Sequence, residues 1–408
     1  MSDTLPLAGL RVLDLSRILA GPFCCQILGD LGADVVKVER PLRGDDTRQW
    51  GPPFLGEPAL LQSAYFLAAN RNKRSLALDL ATDAGQQILI DLIRRADVLV
   101  ENFLPDSAQR LGLSPARLQE LNPDLVSCSI SGFGRTGPLA NTPGYDLAIQ
   151  AALGLMSITG EADGSPLKVG VAITDIIAGL YAATSVLAGL WARGRGVPGR
   201  AFDLALADCT LASLVNVAQS ALLTGLPPVR FGNAHPNIVP YEAYATADGH
   251  LVLAIGNDRQ WARFCAACGQ SAWATDARFA TNPARVEQRT SLNAQLSALL
   301  ATRSTKTWQI LLTEHAIPHA AVAPVDEVLA APQTAARGMV QTVRDSSGRE
   351  YQILGSPIHW DGESPRGSVA EGNSAPPQLG EQGRTVLQEW LQCTPQQIAD
   401  WKAAGVVG

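Results

Sequence analysis

Apolar positions along this chain fall into two alternating patterns. Short continuous apolar runs read as buried strands, and stretches with apolar residues every three or four positions read as amphipathic helices. Residues 11–15 (Arg-Val-Leu-Asp-Leu) are the first strand. A helix follows to about residue 31, with Pro22 in its first turn, where a missing N–H costs nothing. Residues 35–38 form the next strand, which completes a strand–helix–strand unit of the parallel kind. The alternation continues with a strand at 75–80, a helix at 84–95, and strands at 98–102 and 125–131. An α/β fold with a doubly wound parallel sheet is the economical solution. Ligands in such sheets lie beyond the carboxyl ends of the strands, where Arg40, Asn102 and the loop 132–138 (Gly-Phe-Gly-Arg-Thr-Gly-Pro) fall.

The pattern changes after Leu226, and Pro227-Pro228 marks a boundary. Residues 242–246 and 250–255 flank Asp248-Gly249, a strong hairpin signal. Gly256-Asn-Asp-Arg-Gln260 then leads into a helix. Short strands return from Gln341, residues 361–377 read as a Gly/Ser/Pro-rich linker, and 385–391 and 395–404 read as helices. The expected organisation is a large α/β domain over 1–226, a smaller α+β domain over 227–330, and a return to the large domain over 331–408.

One stretch carries a distinctive charge pattern. Between Lys168 and Arg193, Asp175 is the sole charged residue in a run otherwise apolar or small. From Ile176 onward the run reads as a buried helix. Thr174 or Asp175 would cap it by accepting free N–H groups of the first turn. Asp175 is also a candidate nucleophile, since carboxylates form covalent intermediates in some enzymes, although the local sequence by itself favours the cap.

Composition narrows the options. The chain has 408 residues, 46% hydrophobic and 17% charged, enough for a large core and more than one domain. A net charge of −6 argues against nucleic acid as a partner. The start of the chain lacks a basic segment followed by an apolar one, so no signal peptide is expected. The apolar run after Asp175 is broken by Gly, Ser and Thr and reads as a core helix, with no membrane partner expected. Seven scattered cysteines suggest reduced thiols and a cytoplasmic setting. Cys265 and Cys268 form a lone CxxC, and Pro318 breaks any helix that would align His315 with His319, so no metal site is expected. The first strand is not followed by GxGxxG, which leaves a dinucleotide cofactor unsupported. Asn70-Arg-Asn-Lys-Arg74 is either a solvated face or, with Arg40, Arg110 and Arg135, a field for an anionic ligand.

Taken in order, these pieces resemble the class III CoA-transferases, the family of formyl-CoA and carnitine CoA-transferases. The resemblance rests on residues 7–15, Ala20-Gly-Pro22, Gly32-Ala-Asp-Val-Val-Lys-Val-Glu-Arg40, Asn72-Lys-Arg-Ser75, Val100-Glu-Asn-Phe103, the loop 132–138, the Asp175 stretch and Leu379-Gly-Glu-Gln382. It implies that Asp175 is the nucleophile. It places coenzyme A, a substrate here with no tightly bound cofactor, against Ile18, Leu19, Arg40, Lys73, Asn102, Phe103 and Arg110, with Arg135 adding charge. Leu19 and the 256–260 loop differ from oxalate-type members, and the nearest look is to enzymes that exchange CoA between dicarboxylates such as succinate and glutarate. Tyr145, Gly256, Arg259 and Gln260 are then expected near the acyl substrates, with Arg17 or Arg259 on the distal carboxylate. An interlocked homodimer is implied. The rival on the same fold is an acyl-CoA racemase. That chemistry needs an acid/base pair, and this chain has Tyr145 where racemases of the family carry His.

Overall fold

A computed structural model describes residues 5–56, 61–360 and 374–408. Residues 361–373, most of the expected linker, and the first four residues lie outside this set. The described chain forms two units, one of residues 1–155, 169–219 and 332–408, the other of 156–168 and 220–331.

The first unit is built on a six-stranded sheet. In chain order its framework is β1 (Arg11–Asp14), α1 (Ala20–Asp30), β2 (Asp34–Glu39), β3 (Lys73–Ala77), α2 (Asp83–Ile93), β4 (Val98–Glu101), β5 (Val126–Ser131), α3 (Asp146–Ala152), α4 (Ile173–Arg193) and β6 (Ala201–Ala205). The strand order is β3-β2-β1-β4-β5-β6, parallel throughout. Successive strand side chains point to opposite faces. Leu13, Val36, Leu76 and Leu99 pack with Ile88, Leu89 and Leu92 of α2 and with Val386, Leu387 and Trp390 of the helix Gly383–Leu391. Val12, Val35, Val98 and Val126 face the other way, onto Cys24 and Leu28 of α1 and Ala178, Ala182 and Val186 of α4. Helices on both faces explain why β4 is buried along its whole length. The doubly wound parallel sheet is as expected.

The order reverses between β1 and β4, and this is where such sheets open a crevice at their carboxyl end. Helix α4 sits very close to α1. A Cβ added at Gly179 would lie 2.8 Å from the Ala20 carbonyl oxygen and 3.1 Å from the Phe23 ring. Strand β6 escapes a reading of the sequence: it is short, lies at the sheet edge, and is largely exposed over its first residues.

The second unit has a three-stranded antiparallel sheet in which His250–Ala254 pairs with both Tyr241–Ala245 and His319–Ala321. The Asp248-Gly249 hairpin forms as expected, closed by Thr246 N–H donating to the Gly249 carbonyl at 2.9 Å. Trp261, Phe264, Leu292, Leu296, Trp308 and Leu312 fill its core. Cys265 and Cys268 are buried there as free thiols.

Candidate active site

Helix α4 begins at Ile173, three residues earlier than its apolar pattern suggests, and neither Thr174 nor Asp175 is its cap. Asp146 takes that role from α3. Its Oδ1 accepts the Thr174 N–H at 2.9 Å and the Thr174 hydroxyl at 2.8 Å. Fully buried Gln150 donates to the other Asp146 oxygen at 2.8 Å and accepts the Val169 N–H at 2.9 Å, tying α3 to the start of the segment that leads into α4. Asp175 is thereby spared the capping duty. Its half-buried carboxylate forms no hydrogen bond or ion pair among the described residues. Burial first, and the Asp146 charge second, push its pKa from 3.8 up to about 7. The helix terminus favours the anion by only about 0.3–1 kcal/mol. The shift represents roughly 4 kcal/mol, so burial and Asp146 win. A carboxyl poised near neutrality with no partner can act as a nucleophile.

The crevice between β1 and β4 is occupied by the turn that follows β1. Each of its peptides is held. Ser16 N–H donates to Asp14 Oδ1 at 3.0 Å, and the Ser16 carbonyl accepts from Lys37 Nζ at 2.8 Å. Asn102, just past β4, brackets Arg17 by accepting its N–H at 2.9 Å and donating to its carbonyl at 2.8 Å. Ile18 has φ +70°, a region where a β-branched residue is rarely found. Its N–H points at both Asp45 oxygens, 3.3 Å away. Leu19 then precedes α1 without a side-chain cap. Asp175 lies one helical turn before Gly179, which touches Ala20, so the carboxylate and this turn share one neighbourhood.

The basic residues divide into two groups. Arg17 and Arg40 both pair with Asp46, at 2.7 and 2.6 Å, and both guanidiniums remain about half exposed. Two cations share one carboxylate, which leaves a surplus positive charge at the ends of β1 and β2. Arg110, exposed at the end of the helix Pro105–Arg110, hydrogen-bonds Ser107 and forms no ion pair among the described residues. Lys73 is different, and here the expectation of an anion-binding ammonium is corrected. Its Nζ is fully buried and donates to Asp14, Asn70 and the Pro22 carbonyl at 2.8–2.9 Å. The whole 70–74 cluster is structural: Arg71 pairs with buried Asp30, and Arg74 with Asp34 and Glu389. It is neither a solvated face nor an open anion site. Arg135 is likewise turned inward, onto Glu101 and Ser129, so its charge is compensated. Phe103 is partly buried against the α2-side core, and its N–H donates to Glu101 at 2.8 Å. Tyr145 precedes α3 with an exposed ring.

In the second unit Gly256 precedes the helix Asp258–Ala267, which Asn257 caps by accepting the Gln260 N–H at 2.9 Å. The Gln260 side chain folds back and accepts the Gly256 N–H at 2.8 Å. Arg259 is exposed in the first turn.

Residues 7–383 of the chain match CoA-transferase family III. The chain belongs to that family. It is 44% identical to the succinate–glutarate CoA-transferase of Agrobacterium fabrum, over 86% of this chain and 89% of that protein. It is 36% identical to the human succinyl-CoA:glutarate CoA-transferase, over 100% of this chain and 91% of that protein. Among solved structures, a CaiB/BaiF family protein from Brucella suis superposes with a TM-score of 0.82 at 41% identity, covering 95% of this chain and all of that one. This family III member is therefore an enzyme that transfers CoA.

Several groups around the transferase's candidate site are silent in its sequence. Tyr65 is half-buried, edge-on to Trp50 at 5.1 Å. Burial and then the charges of Asp175, Asp146 and Asp45 push its phenol pKa up, which places it near the carboxylates. It lies in the helix Ala64–Ala68, only five residues long and too short to carry a periodicity that would flag it. Lys37 and Asp45 are hidden for a different reason: a charged residue inside a strand or loop reads as exposed, and both are fully buried.

Proposed function

We propose that this transferase moves CoA from a succinyl-CoA-like donor to a glutarate-like dicarboxylate through covalent intermediates on Asp175. The substrate class rests on the named activities of its relatives. The chemistry rests on one observation: Asp175 presents a carboxyl with no partner, close to neutrality, beside the turn at the β1–β4 crevice.

The ionised Asp175 attacks the donor thioester carbonyl, giving an acyl-aspartyl anhydride and CoA thiolate. The thiolate attacks the aspartyl carbonyl, which releases the donor acid and leaves an aspartyl-CoA thioester. The acceptor carboxylate attacks that thioester to form a second anhydride and free the thiolate again. Attack of the thiolate on the acceptor acyl carbon yields the new acyl-CoA and regenerates Asp175. Thioester is exchanged for thioester, so the sequence closes without ATP. Each attack builds an oxyanion, and N–H groups near the uncapped start of α1 are suited to meet it. Ile18, Leu19, Asn102 and Phe103 would line the CoA path, with Arg40 and Arg110 near its phosphates and Arg17 or Arg259 on the distal carboxylate. Tyr145, Gly256 and Gln260 are assigned to the acyl end. The reading includes a homodimer in a cytoplasmic setting.

A racemase would need a base at Tyr145, and a phenol is a poor acceptor for the proton that this chemistry must abstract. The deciding experiment incubates the enzyme with succinyl-CoA and labelled glutarate, then treats a donor-only sample with hydroxylamine. Labelled glutaryl-CoA should form, and peptide mass spectrometry should find a hydroxamate at Asp175 in the presence of donor only. Asp175→Asn should bind CoA yet lose transfer by several orders of magnitude. A label on another carboxylate, or near-wild-type transfer by Asp175→Asn, would sink the covalent scheme.

A further inference from the structure

Lys37 and Asp45 form a salt bridge of 2.9 Å with both side chains at 0% exposure. Burying two full charges is costly, and an apolar pair of similar volume is often as stable or more so. Stability alone therefore does not account for the pair. Its other contacts do. Lys37 donates to the Ser16 carbonyl at 2.8 Å, and Asp45 faces the Ile18 N–H. These are the two ends of a turn whose Ile18 sits at φ +70°. Glycine would adopt that conformation freely, whereas isoleucine must be held there. Asp45 also accepts the Thr47 N–H at 3.0 Å and hydroxyl at 2.8 Å, fixing the short helix Asp46–Gln49 that presents Asp46 to Arg17 and Arg40. One buried pair thus orders both the strained turn and the cationic edge beside it.

We propose that Lys37 and Asp45 are positioning residues for acyl-CoA: they hold the Ser16–Ile18 turn in the shape that seats the CoA thioester beside Asp175. An apolar pair could fill the same space but could not hold the Ser16 carbonyl and the Ile18 N–H. The inference rests on the CoA-transferase reading above and goes beyond it by naming what shapes the crevice. The pair is matched to this duty by its permanence. Against the cost of burial, Lys37 and hydrogen bonds hold Asp45 at about 2. Against the same cost, Asp45, Asp14 and Glu39 keep Lys37 well above the ordinary lysine range. Neither charge is lost at any working pH.

The test is the double variant Lys37→Met/Asp45→Asn. It removes both charges together, leaves no unpaired buried ion, and keeps an acceptor for the Thr47 N–H. Melting temperature and circular dichroism report the fold. Calorimetry with CoA and steady-state kinetics with succinyl-CoA and glutarate report the site. The folded variant should bind CoA about ten- to a hundredfold more weakly, the scale of a misplaced binding surface, with a matching rise in the KM for succinyl-CoA. The KM for glutarate should stay at its wild-type value, a split that general loosening of the fold would not give. Wild-type CoA affinity in the folded double variant overturns the proposal. If that variant does not fold, Asp45→Asn alone replaces it. This change removes one of the two oxygens that face the Ile18 N–H, keeps an acceptor for Thr47 and leaves Lys37 beside Asp14 and Glu39, and an unchanged KM for succinyl-CoA would again overturn the proposal. Weakened CoA binding supports the inference even if no dicarboxylate pair turns over, a result that would count against the transferase reading alone.

Discussion

Asp175 carries a pH signature that can be worked out in sign. Folded, it keeps its proton up to about pH 7; unfolded, it ionises near 3.8. Between those values the unfolded state binds fewer protons, so stability falls as pH rises through the window. Asp175→Asn removes the penalised charge. Its melting temperature should match wild type below pH 4, pull ahead between pH 4 and 7, and hold a constant lead above, worth on the order of 2–4 kcal/mol. A thermal-shift series across pH measures this, and a variant no more stable than wild type at pH 8 would refute the burial argument. Activity runs the other way. In the proposed covalent scheme Asp175 must be ionised to attack, so kcat/KM should rise through about pH 7. Asp146→Asn keeps an acceptor for Thr174 and removes the neighbouring charge, so this limb should move to lower pH. Lys73 illustrates what a sequence hides at this scale. Its neighbours make it look like part of a basic loop, yet its ammonium neutralises Asp14 in the core. Lys73→Ala should cost about 3–5 kcal/mol of stability by stranding that carboxylate. Arg110→Ala should leave the melting temperature unchanged and weaken CoA binding, more strongly at low salt. Equal melting temperatures for the two variants would contradict the division between buried and exposed cations.

At the scale of elements, most strands and helices were legible because period-two and period-3.6 patterns survive wherever one face is buried. What was not legible is the start of α4. The residues before Ile176 lack a helical pattern, and the cap comes from Asp146, distant in sequence and adjacent only once α3 has packed. The consequence is functional: a cap supplied from elsewhere leaves Asp175 in the first turn with its oxygens free. The same close packing makes Gly179 irreplaceable. A methyl group there meets the Ala20 carbonyl at 2.8 Å, and backbone cannot rotate aside as a side chain can. Gly179→Ala should force α1 and α4 apart, costing about 1–3 kcal/mol by overpacking. Because α1 begins at the turn proposed to seat CoA and α4 carries Asp175 in its first turn, transfer should fall by more than the stability loss explains. Melting and kcat/KM measured together decide the point, and wild-type kcat/KM would show that the separation does not govern the site.

At the scale of the molecule, α4 poses a question that its own unit does not answer. Its inner face packs on α1 and β5 through Ala178, Ala182 and Val186. Its outer face should then be polar. Instead Tyr181, Thr184, Ala188 and Trp191 are exposed at helical spacing, with Leu180 beside them, and Trp191 is 70% exposed. By length and composition this helix could cross a membrane, the one described unbroken helix that could. A helix apolar on all sides is buried by something. The parallel sheet, the packed inner face and Asp175 in the first turn all suit a core helix of an enzyme, so a second copy of the chain is the expected cover. The enzyme should sediment as a dimer in buffer without detergent, with no monomer at submicromolar concentration if the two copies interlock. Tyr181→Glu/Trp191→Glu places two charges in the covered stripe and should shift the population to monomer and aggregate while costing an exposed surface nothing. A wild-type monomer by analytical ultracentrifugation, or a double variant that sediments as wild type does, would show that the apolar stripe is not a subunit interface.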